Sequence, residues 1–208
     1  MTTEISGEEI RLCLFQTVGV LADAAAVQDP YGAAHRLKMS QIARTIAQLL
    51  GFEPIDIDGI RMAATLHDIG NVYLPPGLLA KPDRLTPEET AIMRQHVTYG
   101  TEILKNIDFP WPVVPIISQH HERLDGSGYP LGLKGGEIML EAQILGVADV
   151  MEAMTSPRPW RQALPVEAAI EEITRGRGVI FDAYAVDACV EVFTTQAHRL
   201  DPEYYGRT

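Results

Sequence analysis

Cysteine is scarce in these 208 residues: Cys13 and Cys189 stand far apart, each inside a helical hydrophobic pattern. They read as buried thiols of a reducing cytosol, with one disulfide pair as the alternative. Basic residues are also in deficit, 17 Lys and Arg against 28 Asp and Glu, for a formal charge of −11. Bulk nucleic acid is therefore a disfavoured partner, because affinity for a polyphosphate backbone rests on Lys and Arg. Long apolar runs are missing: the stretch 12–22 is interrupted by Gln16 and falls short of the ~20 residues that cross a bilayer. Glu4, Glu8 and Glu9 occupy the place of the basic region of a secretory signal, so a cytoplasmic protein with no membrane partner is expected. What remains, 46% hydrophobic and 22% charged residues, is globular composition with enough chain to bury a core without staples.

Strand alternation is scarce as well, and helical periodicity runs through most of the chain. Across 31–50 the apolar stripe reads His35, Met39, Ile42, Ile46 and Leu49, in steps of 4, 3, 4 and 3, with Gly51 as the stop. A helix is predicted over 56–70, carrying Ile57, Ile60, Ala64 and His67 on one face. Thr86-Pro87-Glu88-Glu89 has the form of a capping box, opening a helix that turns Ile92, His96, Tyr99 and Ile103 to one side. Further helices are expected over 113–124, 140–154, 166–175 and 183–199, and an N-terminal one over about 7–27. No repeat, low-complexity tract or Gly/Ser linker interrupts them. The expected fold is all-α, a compact bundle over 31–208 preceded by an N-terminal helix and lead-in over 1–30.

Five of the six histidines, His35, His67, His96, His120 and His121, fall on predicted inward faces; Asp149 does too, and Asp68 follows His67. A single inward histidine is ordinarily a hydrogen-bonded core residue. Five with two carboxylates are a different matter, since each unpaired charged group would cost several kcal/mol, whereas bound divalent metal compensates that charge and needs such lone pairs. With no cysteine beside them, these ligands suit Fe, Mn, Zn, Ni or Co. The adjacent pairs His67-Asp68 and His120-His121 can each give one ligand to each of two metals, with a carboxylate bridging.

His67-Asp68-Ile69-Gly70, followed by the run from His120-His121-Glu122 through Asp125-Gly126-Ser127-Gly128-Tyr129-Pro130, resembles the HD-GYP subgroup of the HD metal-dependent phosphohydrolases. A bare His-Asp doublet is weak; the HHExxDGSGYP string is specific. The likeness extends over about 29–193 and takes in Leu79-Ala80-Lys81-Pro82, Arg94-Gln95-His96, Gly132-Leu133-Lys134-Gly135, and Asp149 with Arg158-Pro159-Trp160-Arg161. It implies an HD-type helical bundle with a metal site in its core that hydrolyses cyclic di-GMP, to the linear dinucleotide or to GMP, through a metal-activated hydroxide; some members act on cyclic GMP-AMP. The implied ligands are His35, His67, Asp68 and Asp149 for one divalent ion. Asp68 as a bridge, with His96, His120 and His121, serves a second. Iron or manganese is the family's usual metal, with Zn, Ni or Co as alternatives. Tyr31 stands where members with a third metal carry Glu, so a binuclear site is expected, with Tyr31 as a packed aromatic.

The same resemblance makes His67, Asp68 and Asn71 the catalytic positions, Asn71 replacing the Lys of the usual HDIGK motif. Lys81, Lys134, Arg158 and Arg161 become candidates to hold phosphate or guanine edges. Tyr129 either stacks on a base or closes its turn. Gly126 and Gly128 permit the tight loop that Asp125 anchors. Glu122 either orients a histidine ligand or is a surface helix charge. Gln143, Met139, Trp160 and Phe181-Asp182-Ala183 also depart from the common pattern, but none removes an implied ligand. Asn71 keeps a catalytically weak or inactive cyclic dinucleotide receptor open as the alternative, and a general HD phosphohydrolase on other nucleotides is the third reading. Expected partners are the cyclic dinucleotide, a second copy docked through the N-terminal helix, and a separate regulatory protein.

Overall fold

Two capping boxes mark helix starts in the chain, each satisfying two otherwise free backbone or hydroxyl groups. At Thr86 the hydroxyl accepts from the Glu89 amide (3.2 Å) while Glu89 accepts from the Thr86 amide (2.7 Å), and Ser6 and Glu9 repeat the arrangement at the N-terminal helix. The computed structural model describes residues 6–26, 32–158 and 160–200. It contains, among those residues, helices α1 (Gly7–Ala25), α2 (Gly32–Leu49), α3 (Pro54–Leu66), α4 (Pro76–Leu79), α5 (Pro87–Leu104), α6 (Val113–Gln119), α7 (Leu140–Thr155), α8 (Val166–Arg175) and α9 (Ala183–Thr195). Short 3₁₀ turns cover Ile69–Tyr73, Gly135–Glu137 and Ala197–Leu200. The extended pairings among these residues are the single bridges Arg158 to Arg161 and Arg177 to Phe181. The all-α expectation holds.

α2 is the axis of the bundle, with Met39, Ile42 and Ile46 fully buried and α3, α7 and α9 packed around it. Ile60 and Met62 of α3, Ile116 and Ile117 of α6, Ile144, Leu145 and Met151 of α7, and Ile173 of α8 complete one continuous core. Each such side chain contributes about 1.5–3 kcal/mol through removal from water. Ile92 does not join it: expected to face inward, it is exposed, because α5 packs through His96, Val97, Gly100 and Leu104 instead.

α1 lies across α3 and the Ile69–Tyr73 turn and puts Ala22 into the core, while Ile10, Leu12, Leu14, Val20 and Leu21 stay exposed. The boundary expected at 30/31, and Tyr31 with it, lies outside the described residues. No helix among the described residues is long and apolar enough to cross a membrane.

Two helix ends differ from the periodic reading. α3 stops at Leu66 rather than 70, and α6 at Gln119 rather than 124. In both, the next residue is a histidine of the cluster. Each histidine still has helical backbone angles, and the chain turns away just after it, bringing Asp68 and the 125–130 loop beside those histidines.

Candidate metal centre

Five helices deliver the cluster: His35 from α2, His67 and Asp68 from the end of α3, His96 from α5, His120 and His121 from the end of α6, and Asp149 from α7. His67, His96 and His120 share one local device. In each, ring Nδ1 donates to the carbonyl three residues earlier, Ala64 (2.8 Å), Met93 (2.7 Å) and Ile117 (2.6 Å). A carbonyl only accepts, so the proton is on Nδ1 and Nε2 is turned inward. All three Nε2 atoms are buried without a hydrogen-bond partner. Three orphaned imidazole nitrogens aimed at one volume would be costly in a protein that left them so, and they are the donor set a divalent metal requires.

His35 is held differently. Its Nδ1 donates to Glu152, which is 2% exposed on α7 and also accepts from Arg158 (3.1 Å) and Ser156 (2.5 Å). Burial alone would raise the Glu152 pKa, but His35, Ser156 and Arg158 hold it down at about 2. The motif reading missed Glu152. Its signal was a Glu three residues after Asp149, on a helix otherwise buried on that side.

Asp68 sits between the imidazoles. Its Oδ2 lies 3.2 Å from His67 Nε2 and 3.9 Å from His35 Nε2, its Oδ1 3.5 Å from His96 Nε2, and Asp149 Oδ1 is 3.5 Å from His35 Nε2. Ligating atoms of His35, His67 and Asp68 form one compact group and those of His96, His120 and His121 another, each within 4.8 Å. Burial would raise the Asp68 pKa, yet His67, His96 and His35 outweigh it and keep the carboxylate ionised. Burial also opposes charge on His67, but Asp68 and Asp149 prevail and raise its pKa to about 9. A proton and a cation therefore compete for the same nitrogen. His120 and His121 are driven far the other way, first by burial and then by neighbouring imidazoles, and present neutral lone pairs.

The remaining candidates are distributed unevenly. Lys81 is paired with Glu89 (2.6 Å), and Lys134 is exposed with its stem against Gly126. Arg158 lies behind His35 on Glu152. Arg161, expected at substrate, gives its guanidinium to the carbonyls of Ala153, Met154 and Gln162, fastening the segment after α7. Glu122 does not orient a histidine, nor is it a surface charge: it is buried and accepts from the amides of Leu131 (2.6 Å), Gly132 (3.2 Å) and Leu133 (3.0 Å). Tyr129 has its ring stacked on His121 rather than open for a base, 4.7 Å between centroids and 25° between planes.

The loop itself forms as expected. Asp125 Oδ1 accepts from the Ser127 amide (2.9 Å), and Gly126 takes a φ of +82°. Gly128 is required for another reason, because a Cβ there would overlap the backbone of Glu122 and Arg123. Asn71 follows Asp68 on the 3₁₀ turn, and its Oδ1 is buried without a partner. It lines a narrow cavity with His35, His67, Asp68 and the end of α1 at Ala22, Ala25 and Ala26.

A helical core whose helices and helix ends turn imidazole and carboxylate lone pairs toward one small volume is the architecture of a His/Asp metal-site protein. Residues 19–184 match the family described as HD domain, and the chain belongs to that family, its 120–130 run placing it in the HD-GYP subgroup. It is 40% identical over 175 residues to the cyclic di-GMP phosphodiesterase response regulator RpfG of Xanthomonas campestris, covering 83% of this chain and 46% of that one. It is 37% identical over 181 residues to a cyclic di-GMP phosphodiesterase of Thermotoga maritima, covering 86% and 49%. Among solved structures, the cyclic GMP-AMP-specific phosphodiesterase V-cGAP3 of Vibrio cholerae shares the fold, with a TM-score of 0.72 at 17% identity over 93% of this chain and 52% of that one. The chain spans about half the length of the curated relatives it matches.

Proposed function

We propose that this chain is a metal-dependent phosphodiesterase that opens a cyclic dinucleotide, cyclic di-GMP foremost, to the linear dinucleotide or to GMP. The observation that carries the reading is the set of three buried, unpartnered Nε2 atoms of His67, His96 and His120 facing Asp68. His35, His67, Asp68 and Asp149 would hold one divalent ion, iron or manganese. His96, His120 and His121 would hold a second, with Asp68 bridging. The opposed directions of the two Asp68 oxygens, one toward His67 and His35 and the other toward His96, support that bridge. When bound, the two cations supply Lewis acidity that lowers the pKa of a water and offsets charge on the phosphate oxygens.

The chain's own residues do the rest. Glu152 and the three backbone carbonyls fix which nitrogen of His35, His67, His96 and His120 is presented, so the geometry of those four ligands is set before substrate arrives. Asp68 and Asp149 supply the negative charge that draws cations into a protein whose phosphate substrate is itself anionic. Asn71 reaches the same volume as a neutral hydrogen-bonding group.

Protein reconstituted anaerobically with Mn(II) or Fe(II) is expected to consume cyclic di-GMP, followed by chromatography, and the His67→Ala and Asp68→Ala variants are expected to lose turnover by ~10²–10³-fold. Metal-loaded protein that leaves both cyclic di-GMP and cyclic GMP-AMP intact would sink the reading. A second reading, a receptor that binds without turnover, is favoured by Asn71, whose side chain cannot supply the positive charge of the usual Lys. Nucleotide binding with no product would select it.

A further inference from the structure

Four of the five clustered imidazoles have a hydrogen bond that sets the ring: His67, His96 and His120 on backbone carbonyls, His35 on Glu152. Among the described residues His121 has no such bond. Its ring is confined by aromatic contacts instead. His120 lies 4.0 Å away between centroids at 40°, His96 stands edge-on at 5.2 Å and 85°, and Tyr129 stacks at 4.7 Å and 25°. Tyr129 is itself covered by the Arg94 guanidinium of α5, 4.8 Å from the ring centroid. Cation–π contact of this kind favours a fixed ring plane.

The loop is built to deliver that ring. The Tyr129 amide donates to the His121 carbonyl (3.2 Å), the absence of a side chain at Gly128 lets the two backbone segments touch, and Glu122 clamps 131–133 on the other side of the loop. The loop thus folds back on the histidine that lacks a hydrogen-bonded anchor.

We propose that Tyr129, capped by Arg94, is a positioning residue that orients His121 by stacking and thereby sets the affinity of the His96/His120/His121 group for its metal, leaving the His35/His67/Asp68 group untouched. This rests on the metal-site reading above. It assigns the tyrosine of the 120–130 run to the protein's own ligand rather than to a substrate base. The aromatic face does the work, so the hydroxyl is dispensable.

The test is Mn(II) titration of the metal-stripped 208-residue chain, read as stoichiometry and affinity per site, with unfolding temperature as the control for structure. Wild type is expected to bind two Mn(II). Tyr129→Phe keeps both sites. Tyr129→Leu weakens one site by ~10–100-fold and leaves the other unchanged. Arg94→Ala, a change at an exposed residue that does not threaten folding, weakens the same site by a smaller factor, and it decides the matter should Tyr129→Leu unfold. Loss at both sites alike, an unchanged pair of sites in Tyr129→Leu, or a Phe variant as impaired as the Leu variant each overturns the proposal. Unchanged metal binding with a raised KM for cyclic di-GMP would return Tyr129 to base stacking. Wild type that takes up no Mn(II) overturns the metal reading itself, and this proposal with it.

Discussion

An imidazole is a defined metal ligand when its second nitrogen has a fixed partner, and in this protein that partner is a backbone carbonyl three times and a carboxylate once. The carboxylate is the vulnerable version, because a side chain can be removed and a carbonyl cannot. Replacing Glu152 by Ala strips His35 of its acceptor and leaves Arg158 without its partner. The expected result is a ~10–100-fold loss of Mn(II) affinity at the group containing His35, measured by calorimetric titration. Glu152→Gln retains an acceptor oxygen and is expected to recover most of that loss. Equal affinities in Ala variant and wild type would remove Glu152 from the support of the site.

Helix ends decide where the ligands point, and they were the part of the fold least legible in the sequence. Stripes such as Met39, Ile42 and Ile46 revealed the helices because burial follows a 3.6-residue period whatever the neighbours are. They also marked His35, His67, His96 and His120 as inward. They carried no trace of the stops at Leu66 and Gln119, where the His67 and His120 rings bond to carbonyls of the last helical turn while the chain departs. Nor could periodicity find the roles of Arg161 or Glu122, whose partners are backbone groups of a helix end or of irregular segments; Glu152 it could have marked only as an inward position three residues after Asp149, not as the partner of His35. Ile92 misled for the complementary reason: it has the right spacing on α5 but lies where no element covers it. The Ile69–Tyr73 turn depends on one small residue. A Cβ on Gly70 would overlap the His96 carbonyl and crowd the Gly100 amide, so the turn carrying Asp68 touches α5 backbone to backbone. Gly70→Ala is expected to cost about 1–3 kcal/mol by overpacking, or ~3–10 °C in melting temperature at this chain length. It should also weaken metal uptake, since the change drives Asp68 and His96 apart. A variant that melts with wild type and binds Mn(II) equally would show the contact to be slack.

At the scale of the whole molecule, the chain carries a net charge of −11 and its proposed substrate is an anion, so the attraction has to be local. The centre concentrates unpartnered imidazole nitrogens and ionised carboxylate within one small volume, and it joins α2, α3, α5, α6 and α7. Those five helices include most of the hydrophobic core, so a metal that binds only when they are assembled binds the native state and not the unfolded chain. Linkage then fixes the size of the effect. A ligand at a hundred times its dissociation constant adds about 2.7 kcal/mol. In a chain of this length that corresponds to roughly 5–10 °C of melting temperature. Chelation of Mn(II)-loaded protein is therefore expected to lower the melting temperature by about that amount, with restoration on adding Mn(II) back. Asp68→Ala is expected to melt at one temperature with or without the ion, because the carboxylate between the two groups is gone. A metal-independent melting curve in wild type would mean that the cluster is not where the ion binds, and an Asp68→Ala protein that still responds fully would move the site elsewhere in the chain.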